Sequence, residues 1–477
     1  MKYNGKKFLS DIKFYNDYSK WKPELGRYEN WEEAVEDVIS IHREKYSKYS
    51  ELTQYLDHAE NLYKQKVVLA SQRNLQFRKD QVFSKNERIY NCVTGYLDSV
   101  KKIQDTFFLS LCGCGVTLNL HKKWTKKLPK VIKRNYDDIQ NFIIPDSIEG
   151  WADSVGVLLS SFCDGDVPFP EYQGKVVRFD YSKIRPKGSM ISGGFKAPGP
   201  DGLKQSLERI ETLLINAKTG KQLKTIDAYD CLMHCADATL SGGVRRAAMA
   251  VMIDPTDKEM LNAKVGNWRE TNKQRERSNN SVILKRGSFS KKELEDLIKV
   301  NGGMSDLGFT FVENEYITFN PCFEIGMTPI LDYETEETGY QFCNLTEINA
   351  KACMKNGKLN KELFLEACKA ASSIGTLQAG YTKFPYIGKA SEKITEREAL
   401  IGVSITGWMD NPELFDEEIL KEGVDIVNKT NEEVAKIIGI NPAARTTAVK
   451  PSGNASVLLG TASGIHPEHS FRYFRLM

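Results

Sequence analysis

The stretch Phe319–Met327, "FNPCFEIGM", places a thiol and a carboxylate two residues apart in an apolar segment. The thiol is Cys322, the carboxylate is Glu324, and Asn320 precedes both. A free cysteine in such surroundings is commonly a core residue, because cysteine is among the most buried residue types. The nearby glutamate supports a second interpretation, in which the thiol and the carboxylate form a site for acid–base or redox chemistry.

The whole chain has the size and composition of a large globular protein. Its 477 residues exceed what one ordinary core supports, so it holds two or three domains or one large α/β barrel with insertions. Charged residues make up 27% and hydrophobic residues 41%, which are ordinary values for a soluble protein. The 66 basic residues nearly balance the 63 acidic ones, which argues against direct nucleic-acid binding.

No targeting or membrane segment is predicted. The start, "MKYNGKKFLSD", lacks the apolar core and small-residue cleavage site of a signal peptide. No apolar run reaches the roughly 18 residues that a membrane span needs. We therefore expect a cytoplasmic protein whose ten cysteines are mostly reduced thiols. The absence of a CxxC pair argues against a zinc ribbon, and we predict no protein-bound metal.

Hydrophobic periodicity predicts an α/β fold. The first 85 residues have a helical pattern, as in "NWEEAVEDVISIH" with Asn30 as the N-cap. Beyond them, predicted strands such as "KVVRFDYSKIR" and "AAMAVMI" alternate with amphipathic helices such as "DGLKQSLERIETLLINA". This alternation is typical of a parallel sheet or barrel. We predict a mainly helical region at 1–85 and an α/β domain at 86–477, built on a parallel sheet or a barrel.

Several local features are predicted within the second domain. The segment at about 120–180 begins with the basic, proline-broken stretch "HKKWTKKLPKVIKR" and has the character of an insertion. Ser290 and Glu293 form a capping box at the start of a helix. Further helices are predicted at about Asn360–Gln378 and Asp416–Ile438, and a strand near Ala455–Leu459.

Three glycine-bearing loops could bind phosphate. They are Ser192–Gly194, Ser241–Arg246 and Pro451–Ser456. Free backbone N–H groups in such loops form anion cradles. None fits the GxxxxGK[ST] pattern of an ordinary P-loop ATPase, and each alone is compatible with a plain turn.

Three cysteines lie near asparagines and near the ends of predicted strands. They are Cys92 in "IYNCVTGYLDS", Cys322 in the opening stretch and Cys343 in "YQFCNLTEIN". A cysteine with a nearby glutamate suggests a thiol–carboxylate site. The residues alone leave open which of these thiols meet in space.

The order of three motifs resembles a ribonucleotide reductase catalytic chain. "NPCFEI" is followed by "QFCNLTEIN" and then by "TTAVKPSGNASVLLGTASGIHP". The chain is most similar to the adenosylcobalamin-dependent (class II), monomeric ribonucleoside-triphosphate reductases, and stretches such as "RIYNCVTGYLDS", "IPDSIEGW" and "IGVSITGWMDN" extend the resemblance along its length. It implies a ten-stranded α/β barrel of the ribonucleotide reductase and glycyl-radical-enzyme type, with a central finger loop.

This resemblance implies reduction of ribonucleotides, expected to be triphosphates, to 2′-deoxyribonucleotides by thiyl-radical chemistry. Cys322 would carry the thiyl radical, Glu324 would be the general base, and Asn320 would hold the ribose hydroxyls. Cys92 and Cys343 would be the reducing pair, whose two thiols supply two electrons and end as a redox-active disulfide. The implied cofactor is adenosylcobalamin, and the alternative is a radical from a metal-containing partner subunit.

The resemblance also implies two sets of nucleotide-binding residues. Asn91 and the loop Pro451, Ser452, Gly453, Asn454, Ala455 and Ser456 would bind the substrate and its phosphates. The expected effector-binding residues are Asp98, Ser99, Arg185, Lys187, Gly188, Ser241, Gly242, Gly243 and Arg245. A bound nucleotide effector would change which base is accepted. For Asp98 alone, a helix N-cap is the plainer interpretation.

Two alternative functions remain open from the sequence. The chain could be a class I large subunit that needs a radical-bearing small subunit, or an inactive nucleotide-binding regulatory fragment of a split reductase. The insertion at about 120–180 resembles the one that replaces the dimer contact in monomeric relatives, which favours the cobalamin class.

The expected partners follow from the same resemblance. They are a ribonucleoside triphosphate substrate, a deoxynucleotide effector and a thioredoxin-like reductant, with no membrane partner. The sequence ends at "FRYFRLM", whereas relatives continue into the last barrel strand and a tail with a reducing cysteine pair. The barrel is therefore expected to be incomplete at its C-terminus, and a complementary C-terminal polypeptide is an expected partner.

Overall fold

The chain folds into two compact units in a computed structural model that describes residues 5–191, 195–240, 249–300, 306–464, 466–467 and 470. The first unit comprises Met1–Asn91, Phe342–Phe384 and Glu392–Met477. The second comprises Cys92–Gln341 and Pro385–Ser391. These units group the residues differently from the predicted domains 1–85 and 86–477, which stay a prediction.

Five parallel strands of the second unit pair with one another in one sheet. In spatial order they are Gly308–Val312, Ser278–Lys285, Met249–Ile253, Gly115–Leu120 and Cys92–Tyr96. Every residue of the two strands Gly115–Leu120 and Met249–Ile253 is buried. Parallel strands covered on both faces are typically near-continuous apolar runs, as the stretch "AAMAVMI" is. The predicted parallel α/β architecture is confirmed at this level.

Helices connect these strands, because parallel neighbours require long crossover connections. Helix Lys101–Cys112 joins the strands Cys92–Tyr96 and Gly115–Leu120, and it ends at Gly113 with a left-handed φ of 93°. Gly115–Leu120 pairs directly with Met249–Ile253, so residues 121–248 form an excursion between two neighbouring strands.

The excursion and the rest of the second unit contain further regular elements. The helices are Lys122–Thr125, Ile148–Phe162, Asp201–Asn216, Thr225–Leu240, Lys258–Leu261, Trp268–Thr271 and Lys291–Val300. The paired short strands are Asn135–Ile143 with Lys175–Asp180, Met190–Ile191 with Phe195–Lys196, Thr318–Phe319 with Gly326–Met327, and Ile330–Asp332 with Glu337–Thr338. The strand Gln341–Cys343 spans the boundary between the two units.

The first unit is built around the buried strand Leu345–Asn349. It pairs in parallel with Gly402–Thr406 and in antiparallel fashion with Val68–Leu69. The helices of this unit are Gly5–Asp17, Trp31–Lys45, Thr53–Lys64, Gln72–Gln76, Lys79–Ser84, Lys361–Ala379, Glu417–Ile438 and Asn454–Leu459, with most of Lys389–Glu398. Two short hairpins complete it, Trp21–Lys22 with Arg27–Tyr28 and Met354–Lys355 with Lys358–Leu359.

Side-chain caps begin the helices where the sequence predicted them. Asn30 and Glu33 form a reciprocal capping box at helix Trp31–Lys45. Asn360 and Asp416 each accept a backbone N–H at the start of helices Lys361–Ala379 and Glu417–Ile438. An N-cap satisfies a donor that the helix itself cannot, so it marks the boundary in the sequence.

The strand predicted near Ala455–Leu459 is wrong, because these residues belong to helix Asn454–Leu459. The apolar run "ASVLL" is too short for its periodicity to distinguish a strand from a buried helix. Glycine decides the outcome at the C-terminal end, where Gly460 adopts a left-handed φ of 66° and ends the helix.

Amphipathic helices occur in both units, for example Asp201–Asn216 in the second. The longest, Glu417–Ile438, is amphipathic and begins with three acidic residues counted from its cap. Within the ranges that the structure describes, no helix combines the length and the apolar character that crossing a bilayer would require.

Replacement of Asp416 by alanine is expected to destabilise the first unit. The Asp416 side chain accepts a hydrogen bond from Ile419 N at 3.0 Å, and loss of such a cap costs about 1 kcal/mol. Chemical denaturation of Asp416→Ala should show this loss, whereas Asp425→Ala, at an exposed position of the same helix, should change little. Equal stabilities of the two variants would contradict the assignment of Asp416 as a stabilising cap.

Candidate functional site

The residues of the opening stretch form a tight turn between two short antiparallel strands, Thr318–Phe319 and Gly326–Met327. The side-chain carbonyl of Asn320 accepts a hydrogen bond from Ile325 N at 3.0 Å. The backbone carbonyl of Asn320 accepts another from Phe323 N at 2.9 Å, and Phe323 adopts a left-handed φ of 61°. Asn320 therefore shapes the turn that contains Cys322 and Glu324.

Polar groups of this turn are buried without partners. Asn320 is fully buried, and its Nδ2 has no hydrogen-bond partner among the described residues. Both carboxylate oxygens of Glu324 are also buried and lack partners within that part of the chain. An unpaired buried carboxylate is costly, so its retention indicates a ligand or a chemical role.

The turn is attached to the parallel sheet of the second unit. Thr318 Oγ1 lies 2.7 Å from Thr94 Oγ1 and donates to the sulfur of Met252 at 3.2 Å. Tyr96 donates its hydroxyl to the carbonyl of Tyr316 at 2.5 Å. Thr94 and Tyr96 belong to the strand that Cys92 begins, so one strand supports the turn and also positions Cys92.

The thiol of Cys322 differs from its neighbours in exposure. It is exposed in the structure, whereas Cys92 is half-buried and Cys343 is buried. A closed, apolar environment was expected around the Cys322 sulfur. The described residues leave the thiol accessible, and the expected shielding stays a prediction.

The remaining buried thiols have the properties of core residues. All ten cysteines lie among the described residues and none is in a disulfide there, so Cys92 and Cys343 are both present as thiols. Burial raises the pKa of Cys163 and of Cys353 to about 12, and it also raises the pKa of Cys231 well above its ordinary value. A raised pKa disfavours the thiolate and makes such cysteines poor nucleophiles. No cluster of three or more His, Cys, Asp or Glu side chains suited to a metal ion occurs among the described residues.

A buried hydrogen-bond network in the first unit connects Asn91 with Asn344. Ser71 Oγ donates to Asn91 Oδ1, and Ser71 N donates to Gln378 Oε1 at 3.0 Å. Gln378 Nε2 then donates to Asn344 Oδ1 at 2.6 Å. Asn91 immediately precedes Cys92, and Asn344 immediately follows Cys343. The network therefore fixes the chain beside two of the candidate cysteines.

The loop Pro451–Ser456 has an unusual backbone in the same unit. Ser452 has a left-handed φ of 60° and is buried, and Gly453 follows with a φ of 53°. Ser452 Oγ accepts a hydrogen bond from Gly464 N at 3.1 Å, and Ser456 Oγ donates to the carbonyl of Gly453 at 2.9 Å. Asn454 is half-buried and Ala455 is buried. The loop is thus held by its own hydroxyl groups in a conformation that is costly for serine.

A buried ion pair supports the start of this loop. Lys450 Nζ lies 2.5 Å from Glu347 Oε1, and the other oxygen of Glu347 accepts a hydrogen bond from the Thr406 hydroxyl. Lys450 N also donates to Ser404 Oγ at 3.1 Å. Glu347, Ser404 and Thr406 lie on the paired strands Leu345–Asn349 and Gly402–Thr406, so the sheet positions the residue before Pro451.

The predicted effector residues fall in two places of the second unit. The Asp98 carboxylate accepts a hydrogen bond from the Thr338 hydroxyl at 2.5 Å. The backbone carbonyl of Ser99 accepts a hydrogen bond from Lys102 N at 3.2 Å. Helix Lys101–Cys112 follows Val100 without a side-chain cap, so Asp98 is not its N-cap.

The other effector residues lie in an exposed loop. Arg185 pairs with Asp146 at 2.6 Å, Lys187 is exposed, and Gly188 has a left-handed φ of 89°. Ser241, Gly242, Gly243 and Arg245 lie outside the described residues, as does the loop Ser192–Gly194.

Several residues that hold the site were not found from the sequence. They are Thr94, Thr318, Ser71, Gln378, Glu347 and Lys450. Their partners lie far away in the chain, as with the 307 positions between Ser71 and Gln378. No local pattern signals such pairs, because only the tertiary fold brings them together.

Comparisons with known proteins agree with this architecture. No family model matches the chain. A solved structure titled as a B-12 dependent (class II) ribonucleotide reductase superposes with a TM-score of 0.78 at 21% identity, covering 96% of this chain and 75% of that one. The chain therefore shares the fold of that class II ribonucleotide reductase structure.

By sequence, the chain is similar to adenosylcobalamin-dependent ribonucleoside-triphosphate reductases. The protein of this name from Lactobacillus acidophilus is 25% identical over 96% of this chain, which spans 73% of that relative's length. A "Probable adenosylcobalamin-dependent ribonucleoside-triphosphate reductase" from Dictyostelium discoideum is 29% identical over 70% of this chain. The match spans 43% of the Dictyostelium relative.

Thiol labelling of the native chain is expected to modify one cysteine first. Cys322 is the single exposed cysteine, so it should react with an alkylating reagent before the other nine. Mass spectrometry after brief labelling should locate the modification in the peptide that contains Cys322. The Cys322→Ser variant should show no rapidly labelled cysteine. Rapid labelling of Cys343 in the native chain would contradict the structure.

Removal of the Lys450 charge is expected to destabilise the first unit. Lys450→Met leaves the buried Glu347 without its cation, and breaking one side of a buried pair costs about 3 kcal/mol. Adding Glu347→Gln to the same chain should restore part of the stability, because the unpaired charge is then removed. As a control, Lys421→Met removes an exposed pair with Glu417 and should leave the denaturation midpoint nearly unchanged.

Proposed function

We propose that this protein reduces ribonucleoside triphosphates to 2′-deoxyribonucleoside triphosphates by radical chemistry on Cys322. The observation that carries the proposal is the turn Asn320–Glu324, in which an accessible thiol stands two residues from a buried, unpartnered carboxylate. The order of its motifs and the names of the Lactobacillus and Dictyostelium relatives support the same activity.

The turn supplies two of the groups that the reaction requires. The Cys322 sulfur, as a thiyl radical, takes the 3′-hydrogen atom of the ribose. Glu324 accepts the proton of the 3′-hydroxyl, and its unpaired oxygens are suited to this because they have no competing partner in the described chain. Asn320 Nδ2, which is equally unpartnered there, donates a hydrogen bond to a ribose hydroxyl.

Cys92 and Cys343 are proposed as the reducing pair. One thiol protonates the leaving 2′-hydroxyl, which departs as water, and the second thiol hydrogen is delivered to C2′ as the two sulfurs give up two electrons and join as a disulfide. The hydrogen atom then returns from Cys322 to C3′. The buried network that fixes Asn91 and Asn344 supports this role, because a pair that must close a disulfide needs a firmly positioned backbone.

Adenosylcobalamin is the proposed cofactor. The accessible Cys322 thiol fits a cofactor that approaches it from outside the turn. When bound, this cofactor supplies the carbon-centred radical that takes the thiol hydrogen atom. The contribution of the chain itself is to hold the sulfur at the tip of a rigid turn and to leave it reachable.

The substrate phosphates are proposed to bind at Pro451–Ser456, and Asn91 is proposed to contact the substrate. The left-handed Ser452 and Gly453 turn the backbone sharply, and such backbone can direct N–H groups toward an anion. A nucleotide effector is proposed at Asp98 and Ser99 with the Arg185–Gly188 loop and the 241–245 loop.

The proposal also includes a barrel architecture, a cellular compartment and a reductant. The parallel strands of both units would belong to a ten-stranded barrel with the Asn320–Gly326 turn as its central finger loop, as the likeness to a class II structure supports. A redox-active dithiol needs a reducing compartment, so we propose the cytoplasm and a thioredoxin-like reductant.

The test follows hydrogen exchange at the ribose. The purified chain with adenosylcobalamin, a thiol reductant and 3′-tritiated ribonucleoside triphosphate is expected to release part of its tritium into water, because the hydrogen held on the Cys322 thiol exchanges with solvent before it returns to C3′. Cys322→Ser should abolish the release, because oxygen cannot replace sulfur as the radical carrier. Glu324→Gln should slow it by about 100-fold or more, because the general base is lost.

A matched control distinguishes the turn from thiols in general. Cys353→Ala removes a buried thiol of the first unit and should leave the release unchanged. Tritium release by Cys322→Ser would refute the assigned role. A wild-type chain that binds nucleotide but releases no tritium would favour the regulatory alternative.

A further inference from the structure

A cavity of about 530 Å³ lies in the first unit, against the carboxyl end of helix Asn454–Leu459. Its other walls come from helix Gly5–Asp17, the start of helix Trp31–Lys45 and the turn at 64–66. Small-molecule sites typically occupy about 300–1,000 Å³. None of the residues assigned to the proposed reductase chemistry lines this cavity.

The charge of the cavity is predominantly positive. Five lysines line the cavity, but only two acidic residues do, Asp11 and Glu32. The lysines are Lys6, Lys7, Lys64, Lys66 and Lys351. A concave surface with an excess of one charge concentrates its field and attracts ligands of the opposite sign.

Lys66 is the most firmly positioned of these cations. Its backbone is left-handed with a φ of 57°, and its Nζ donates to Ser10 Oγ at 2.8 Å. The same ammonium lies 4.8 Å from the centre of the Trp31 ring. Burial lowers the pKa of Lys66 although Asp11 and Glu32 act in the opposite direction. An anion in the cavity would stabilise the charged form of this lysine.

Aromatic side chains form one wall of the cavity. Phe14 and Trp31 are buried, with ring centres 5.5 Å apart. Tyr15 packs edge-on against Phe14 and is 48% exposed, so much of its side chain is accessible. An accessible aromatic ring beside cations is suited to stacking on a nucleotide base while the cations hold phosphate.

We propose that this cavity binds a di- or triphosphate group, carried either by a nucleotide or by inorganic polyphosphate. Lys66 and Lys64 hold the phosphate oxygens, with Lys351 at the opposite wall, and Tyr15 stacks on the base of a nucleotide. Phosphate is favoured over a single carboxylate because lysines outnumber carboxylates by five to two along the lining, although Lys64 already pairs with Glu36 at 2.6 Å and Glu60 at 2.8 Å.

The position of the cavity gives such a ligand a defined environment. Ser10 Oγ donates to the carbonyl of Leu458 at 2.5 Å, and Lys351 Nζ donates to that of Gly460 at 3.1 Å. The ligand therefore lies next to the end of the helix that begins in the proposed substrate-phosphate loop. The site goes beyond the proposed reductase function, and either can fail without the other.

The test measures lysine reactivity in the full chain. Acetylation followed by mass spectrometry is carried out without ligand, with inorganic tripolyphosphate, and with ATP. Lys64, Lys66 and Lys351 are expected to be protected, whereas Lys421, which is exposed on helix Glu417–Ile438, should react equally in all three samples. Because the readout is resolved by residue, ligand bound at another site is distinguished from ligand in the cavity.

Two variants test the contacts. Lys66→Met should weaken the protection of Lys64 and Lys351 by about tenfold in apparent Kd, as expected for a lost charge-assisted contact. Lys421→Met is its matched control and should leave the Kd unchanged. If the natural ligand is a nucleotide, Tyr15→Ala should weaken the binding of ATP but not that of tripolyphosphate. If this variant binds both ligands as tightly as the wild type does, the phosphate group alone is recognised.

The proposal is overturned if the cavity lysines react equally with and without both ligands. It is also overturned if Lys66→Met retains full protection of Lys64 and Lys351. Should Lys66→Met fail to fold, Lys351→Met provides the same measurement through the protection of Lys64 and Lys66. Thermal unfolding of each variant without ligand establishes that the comparison is made between folded chains.

Discussion

The side-chain carbonyl of Asn320 accepts a hydrogen bond from the backbone N–H of Ile325, and the geometry of the candidate site depends on this contact. It closes a turn whose left-handed residue, Phe323, would otherwise be unfavourable. Because the turn is closed by a side chain and not by a long sheet, it can be short enough to present Cys322 and Glu324 together. The cost is that the Nδ2 group of Asn320 and both oxygens of Glu324 are buried without partners in the described chain. Groups of this kind are the expected signature of a binding or catalytic position.

The supports of the site are buried polar contacts, and most of them are satisfied. Thr94 and Thr318 fix the turn to the parallel sheet of the second unit. In the first unit, Gln378 joins Ser71 to Asn344, and Glu347 joins Lys450 to Thr406. Buried networks are stabilising when every member has a partner, and they then hold one conformation. The contrast between these satisfied supports and the unpartnered carboxylate of Glu324 separates positioning residues from reactive ones.

Much of the local structure could be predicted, since its causes are local. The cap at Asn30 with Glu33 and the capping box at Ser290 with Glu293 set helix starts that were found from the sequence. The buried strand Met249–Ile253 was found because it is a short apolar run between polar segments. The same kind of evidence failed at Ala455–Leu459, where an apolar run of similar length is helical. A run of five residues is shorter than two helical turns, so its periodicity does not distinguish the two states.

The sequence by itself determined which thiol and carboxylate are candidates for the chemistry and the order of the motifs, because two residues that are two positions apart remain neighbours in any fold. It also determined the starts of capped helices such as Trp31–Lys45 and Glu417–Ile438, since caps act within four residues. Only the tertiary structure decided that Cys322 is exposed while Cys343 is buried, and that Gln378 lies beside Ser71. Exposure and long-range hydrogen bonds depend on residues that are hundreds of positions apart. No local pattern encodes such contacts, because they form only when the chain has packed.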